Sequence, residues 1–151
     1  MEKLEGLDEE LEQEEAKQEN NIVSMEEFQK KRKPFHYWTV KGTDHQMKLT
    51  TKMITKLENK YHMNITNLIT SNDLPPLSVM LTVAQAAIAP WEHGMSYEKV
   101  SGLYDAWVDE GYGQTDFLSK VIIPTMAVSG FFTASQAELI LKEIEEADML
   151  S

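Results

Sequence analysis

LPPLSVMLTVAQAAIAPW, residues 74–91, carries two adjacent prolines and then a stretch in which almost every side chain is apolar. Proline is tolerated in the first turn of a helix, where its missing N–H has no intrahelical partner, so Pro75 and Pro76 start a helix here. That helix runs through Leu77, Met80, Leu81, Val83, Ala84, Ala87 and Ile88, and these residues surround it nearly completely. A helix apolar all round is either the centre of a core or a surface that a partner covers. The stretch is broken by polar groups and is shorter than the roughly 20 residues that span a bilayer, so no membrane is expected.

Helical periodicity continues on both sides. Upstream, Met53, Ile54, Leu57 and Tyr61 share one face while Lys52, Lys56, Glu58 and Lys60 lie off it. Thr50 or Thr51 suits the N-cap of this helix, and Asn64 suits the cap of a short turn, ITNLIT. Downstream, PWEHGM closes the apolar helix and Ser96 caps the next, with Tyr97, Val100, Tyr104, Trp107 and Val108 as its stripe. Thr115 then caps DFLSKVIIPTMAVSG, which Pro124 should kink or divide because it removes a backbone bond in mid-run. Thr133 with Gln136, or Ser135 with Glu138, forms a capping box for a last helix that turns Leu139, Ile140 and Ile144 inward.

Ahead of the helices, FHYWTV and HQMKLT are rich in strand-forming residues, and Gly42 in the polar connection KGTD marks a hairpin turn. The fold expected is mostly α. A β-hairpin over 35–49 precedes about five helices, over 51–62, 75–89, 96–110, 115–129 and 134–148, in one domain covering 34–151.

The formal charge of −11 is concentrated at one end. Residues 1–27 hold eleven acids against Lys3 and Lys17, whereas the remainder holds fourteen acids and twelve bases. Leu4, Leu7 and Leu11 keep helical spacing, but so few apolar groups cannot offset the entropy of ordering. Residues 1–33 are therefore expected as an acidic tail, disordered or a detached helix, ending in a basic hinge. With no cysteine there is no disulfide, thiolate metal site or cysteine nucleophile, and no signal-peptide pattern opens the chain. This composition fits a soluble intracellular protein.

No nucleotide-binding glycine loop, metalloprotease helix or hydrolase elbow occurs, so no enzymatic role is expected. His36, His45, His62 and His93 are scattered; His36 and His45 could face each other across the ribbon, which is half a metal site at most. Glu92 and His93 are adjacent, and neighbours in sequence seldom point at one substrate. Neither catalytic nor cofactor nor metal residues are assigned. The cluster Lys30–Lys33, followed by aromatics, is the nucleic-acid signal: lysines could neutralise phosphates while Tyr37 or Trp38 stacked on bases. Eleven preceding acids oppose that use, and a solvated hinge is the stronger reading. The excess of apolar residues in 77–91 and 121–132, with nine methionines overall, points instead to a protein partner. Met80, Val83, Ala84, Ala87, Ile88, Trp91, Phe131 and Phe132 are the candidate contacts, set against plain core packing.

The order of these pieces resembles the tail assembly chaperones of long, non-contractile-tailed phages (siphophages) that infect Gram-positive bacteria. The likeness covers about Trp38 to Phe132 and rests on element order and on KLTT, LYDAW, DEG and SGFF. It implies a small, helical, non-enzymatic protein that binds the tape measure protein, in many copies, and keeps it soluble without ATP until tail-tube subunits replace it. It also implies residence in the host cytoplasm during assembly and absence from the finished virion. Two alternatives stay open: a small structural or adaptor protein of the virion, and a nucleic-acid-binding regulator using Lys30–Lys33. A homo-oligomer also stays open.

DAWVDEGYGQTD, residues 105–116, has the length of a calcium-binding loop. Trp107 stands where that loop needs an oxygen ligand, Glu110 where it needs glycine, and Asp116 where it needs a bidentate glutamate. The stretch reads as a helix end, a glycine joint at Gly111 and a new helix start at Thr115 and Asp116. Added calcium should leave the melting temperature unchanged, as scanning calorimetry with calcium and with chelator would establish.

Overall fold

The computed structural model describes residues 32–70 and 74–150. The acidic tail expected over 1–33 therefore lies, apart from Arg32 and Lys33, outside the described residues. A two-stranded antiparallel hairpin precedes a set of helices, as its residues predicted.

The hairpin pairs β1 (His36–Val40) with β2 (Thr43–Met47). Its loop is only Lys41 and Gly42, both at positive φ (50° and 79°). That two-residue geometry matches the right-handed twist of the strands and favours glycine at its second position. Thr43 and Asp44, expected in the connection, belong to β2 instead, and the Thr39 hydroxyl hydrogen-bonds the Asp44 carboxylate opposite it. The short turn fixes a register in which His36 opposes Met47 and His45 opposes Trp38, so the two histidines do not face each other. With a side-chain period of two, Trp38, Val40, His45 and Met47 turn inward and are buried.

Next come α1 (Thr51–Tyr61), α2 (Ile65–Thr70), α3 (Leu77–Ile88) and α4 (Tyr97–Asp109). Thr50 Oγ1 caps α1 by accepting from Met53 N at 3.3 Å, and Ser96 Oγ caps α4 by accepting from Lys99 N at 3.1 Å. Asn64 Oδ1 accepts from Thr66 N at 2.8 Å, and its turn continues into α2. In α4 the buried stripe is Val100, Tyr104 and Trp107. Tyr97 and Val108, expected inside, are 43% and 37% exposed: Tyr97 keeps the phase of the stripe but is the first residue of the helix, and Val108 lies one position past Trp107, off the buried line.

The segment around Pro124 is divided into three. A single turn, α5 (Gln114–Asp116), leads into a π-helical stretch (Phe117–Ile122) and then α6 (Ile123–Val128). Gly113, not Thr115, is the N-cap, and the Asp116 carboxylate accepts from Gly113 N at 2.8 Å. A proline at 124 cannot supply the N–H that an α-helix would send to the Lys120 carbonyl. The widened turns absorb that loss just ahead of the proline. The last helix, α7 (Ala134–Leu150), packs on α6 and begins with the Thr133–Gln136 capping box, its two bonds at 3.2 and 3.0 Å. Ala137 is buried and Leu141 and Ile144 are half-buried, whereas Leu139, expected inward, is 61% exposed because the inner face steps from 137 to 141 and 144.

The end of the hairpin is fastened to two helices. Lys48 N donates to the Ala87 carbonyl at the end of α3 (3.1 Å), and Leu49 N donates to Ser129 Oγ just beyond α6 (2.8 Å). Ser129 Oγ in turn donates to the Thr125 carbonyl at 2.6 Å. Replacing Ser129 by alanine strands the N–H of the buried Leu49, and urea denaturation should register a loss of about 1–3 kcal/mol with an unchanged m-value.

Candidate functional site

Five of the eight candidate contacts lie inside the domain. Met80, Val83, Ala84, Ala87 and Ile88 each have 0% exposure, because α3 is enclosed by β2, α1, α4 and the π-helical stretch. Their apolar faces build the core and touch no solvent-borne partner while the domain is closed. Trp91, 39% exposed, remains accessible just after α3, and Phe131 and Phe132 are half-buried against the core after α6.

Trp91 meets Phe35 edge-on, with ring centroids 5.0 Å apart, and Lys48 Nζ lies 5.8 Å from the Phe35 ring centre. Phe35 also lines an open cleft of about 510 Å³. One wall is the chain entering β1, from Lys33 to Tyr37; a second is the broken helix at Lys120, Pro124 and Val128; the third is α7 at Leu141, Ile144 and Glu145. The lining is mostly apolar, and Lys33 Nζ approaches Glu145 Oε1 to 3.9 Å at the rim, where both side chains are well exposed. Tyr37, 52% exposed, extends the aromatic surface at the mouth. Apolar area with a charged edge is the usual anatomy of a surface that a protein partner covers.

His36 shows how the broken helix shapes this cleft. Its ring is hydrogen-bonded to the Lys120 backbone, the position whose helical donor would have been residue 124. Burial pushes the imidazole down from 6.5 to about 4; the bond to Lys120 opposes that shift and the Lys33 charge adds to it. His36 is therefore neutral at physiological pH and too weak a base for proton abstraction there. It serves as a neutral plug, satisfying a carbonyl that proline leaves open.

Among the described residues, Glu92 and His93 form no acid–base pair. Glu92 engages His45, not its neighbour His93: His45 Nδ1 lies 2.5 Å from Glu92 Oε1, while His93 is exposed. The buried His45 Nε2 and Trp38 Nε1 both lack a hydrogen-bond partner among the described residues. Among those residues no group of three His, Asp or Glu side chains is placed to hold a metal ion.

The acids of residues 105–116 have separate tasks: Glu110 Oε1 accepts from Lys41 N in the hairpin turn at 2.9 Å, and Asp116 caps α5. Gly111, at φ 110°, is the joint between them. For nucleic acid, Trp38 is 2% exposed and cannot stack on a base, and Arg32 Nη1 donates to the Ala127 carbonyl at 2.8 Å. Lys30 and Lys31 lie outside the described residues. No described helix is long and apolar enough to cross a membrane. Compared with protein families, with curated proteins and with solved structures, the chain matches none.

Of the cleft, the sequence signalled Lys33, Pro124 and the run Phe35 to Tyr37. Leu141 and Ile144 carried no mark to separate them from ordinary core. Because the unfolded chain binds a proton at His36 near pH 6.5 and the folded chain only near pH 4, stability should be level above about 6.5 and decline as pH falls toward 4. The slope from this group is at most ~1.4 kcal/mol per pH unit, less after solvent screening. His36→Gln keeps a donor for the Lys120 carbonyl, and its stability measured by urea titration should vary less than that of the parent over the same range.

Proposed function

We propose that this protein is a tail assembly chaperone of a siphophage, binding the long, apolar, helical tape measure protein and holding it in solution until tail-tube subunits displace it. The observation that carries the reading is the open, mostly apolar cleft between the hairpin entry, the broken helix and α7, continuous through Phe35 with the exposed ring of Trp91. A client helix burying leucine-sized side chains there would gain about 1.5–3 kcal/mol for each before entropy losses, which suits a grip that competition can release. Nothing in the sequence forms a nucleotide-binding loop, so release by competition needs no other energy source. The likeness in element order and in LYDAW, DEG and SGFF supports the same reading.

Co-expression with a tape measure segment that precipitates alone should keep that segment in the soluble fraction. Leu141→Asp with Ile144→Asp, which place charge in the cleft wall, should return most of it to the pellet. Lys99→Glu, exposed in the first turn of α4 and outside the cleft lining, should not. Equal precipitation with and without the parent protein would sink the reading. A constituent of the particle, rather than a chaperone, would appear in mass spectra of purified virions.

A further inference from the structure

A second, smaller groove lies on a different face, between α1 and α3. Its volume is about 210 Å³, room for inserted side chains and not for a whole helix. On one side α1 contributes Met53, Lys56, Leu57 and Lys60, an i, i+3, i+4, i+7 ridge. On the other side Thr82, Gln85 and Ala86 of α3, with Ala89 at its C-cap, complete the lining, and the two alanines are small enough for another backbone to come close. Two helices that turn such ridges toward a common furrow offer the seat into which the side-chain ridge of a third helix packs.

Charge decides what kind of helix. Lys52, Lys56 and Lys60 recur every four residues and are all exposed, so they form one basic line along α1, with Lys56 and Lys60 on the groove itself. No acid lines the groove. No carboxylate of the described residues forms an ion pair with any of the three lysines; Lys60 Nζ instead rests 5.7 Å from the Tyr61 ring centre. The one acid of α1, Glu58, is outside the groove lining. This arrangement stands out in a chain whose formal charge is −11.

We infer that the α1–α3 groove is a docking site for an acidic amphipathic helix of a protein partner. Apolar residues of that helix at i, i+3 or i+4, and i+7 enter between Met53, Leu57, Ala86 and Ala89, while its Asp and Glu side chains reach Lys56 and Lys60. The apolar floor favours a peptide over nucleic acid, whose backbone would leave that floor in water. Lysines at the rim set orientation and encounter rate, and the floor supplies the hold. Nothing in this inference uses the cleft beside α7, so each can fail without the other.

The probe is a synthetic, fluorescein-labelled helical peptide with leucines on one face and glutamates elsewhere. Its counterpart keeps the leucines and replaces each glutamate by lysine. Titrated with the full chain and followed by anisotropy, the acidic peptide should bind saturably at one site, and more weakly as salt shortens the Debye length below about 10 Å. Lys56→Glu with Lys60→Glu, both at exposed positions, should weaken it about tenfold or more. Ala86→Trp, which fills the floor, should weaken it as well, with circular dichroism showing that both variants keep their helices. Absence of binding, undiminished binding to the lysine variant, equal binding of the lysine peptide, or displacement by an equimolar single-stranded oligonucleotide would each overturn the inference.

Discussion

A two-stranded ribbon does not hold itself together in water, and this one persists because Trp38 is sunk into the helical layer. Its ring lies 5.9 Å from Trp107 of α4, nearly perpendicular, and 5.2 Å from Phe117 at the start of the π-helical stretch. Phe117 is also edge-on to Tyr104 at 5.1 Å, and Trp107 stacks on Tyr112 at 4.4 Å. One strand residue therefore joins the hairpin, α4 and the broken helix in a single aromatic cluster. Such rings bury large areas and prefer the edge-on geometry seen here. Backbone bonds from Lys41, Lys48 and Leu49 then fix the hairpin in the position that the cluster selects.

With the hairpin held, the irregular helix beside it acquires a purpose. A regular helix through residue 124 would need a donor that proline lacks, and a buried carbonyl without a donor is costly. The π-helical turns and the His36 contact at Lys120 meet that need together. Pro124 and Val128 are thereby presented beside Phe35 on one side and Leu141 and Ile144 on the other, as walls of the open cleft. Burial keeps that imidazole neutral against the opposing pull of its bond to Lys120, so the cleft gains no charge from it at physiological pH.

Among the described residues, two surfaces left open differ in their chemistry. One cleft is apolar with a mixed-charge rim, and the groove between α1 and α3 is apolar with a basic rim. On the proposed reading these are two grips of different chemistry on one small frame, each weak enough to be released by competition. The core beneath them is closely filled by Met80, Val83, Ile88, Phe117, Ile122 and Met126, so a partner has rigid walls to press against.

Hydrophobic periodicity and capping residues were enough to find the hairpin, the helices and most of their starts. Thr50, Ser96, Asn64 and the Thr133–Gln136 pair cap where their chemistry requires, because a cap is a local hydrogen bond written within four residues. Which apolar face meets solvent is not local. Periodicity could not tell whether Met80, Val83, Ala84, Ala87 and Ile88 were core or contact, since both demand the same residues; the neighbours enclosing α3 decided for core. Nor could it foresee that Glu92 would pair with His45, that Glu110 would hold Lys41, or that Leu139 would face water while Leu141 lined a cleft. The sequence by itself determined the elements, through bonds and periods spanning a few residues. Only the tertiary structure decided which surfaces remain open, because burial depends on what the rest of the chain brings alongside.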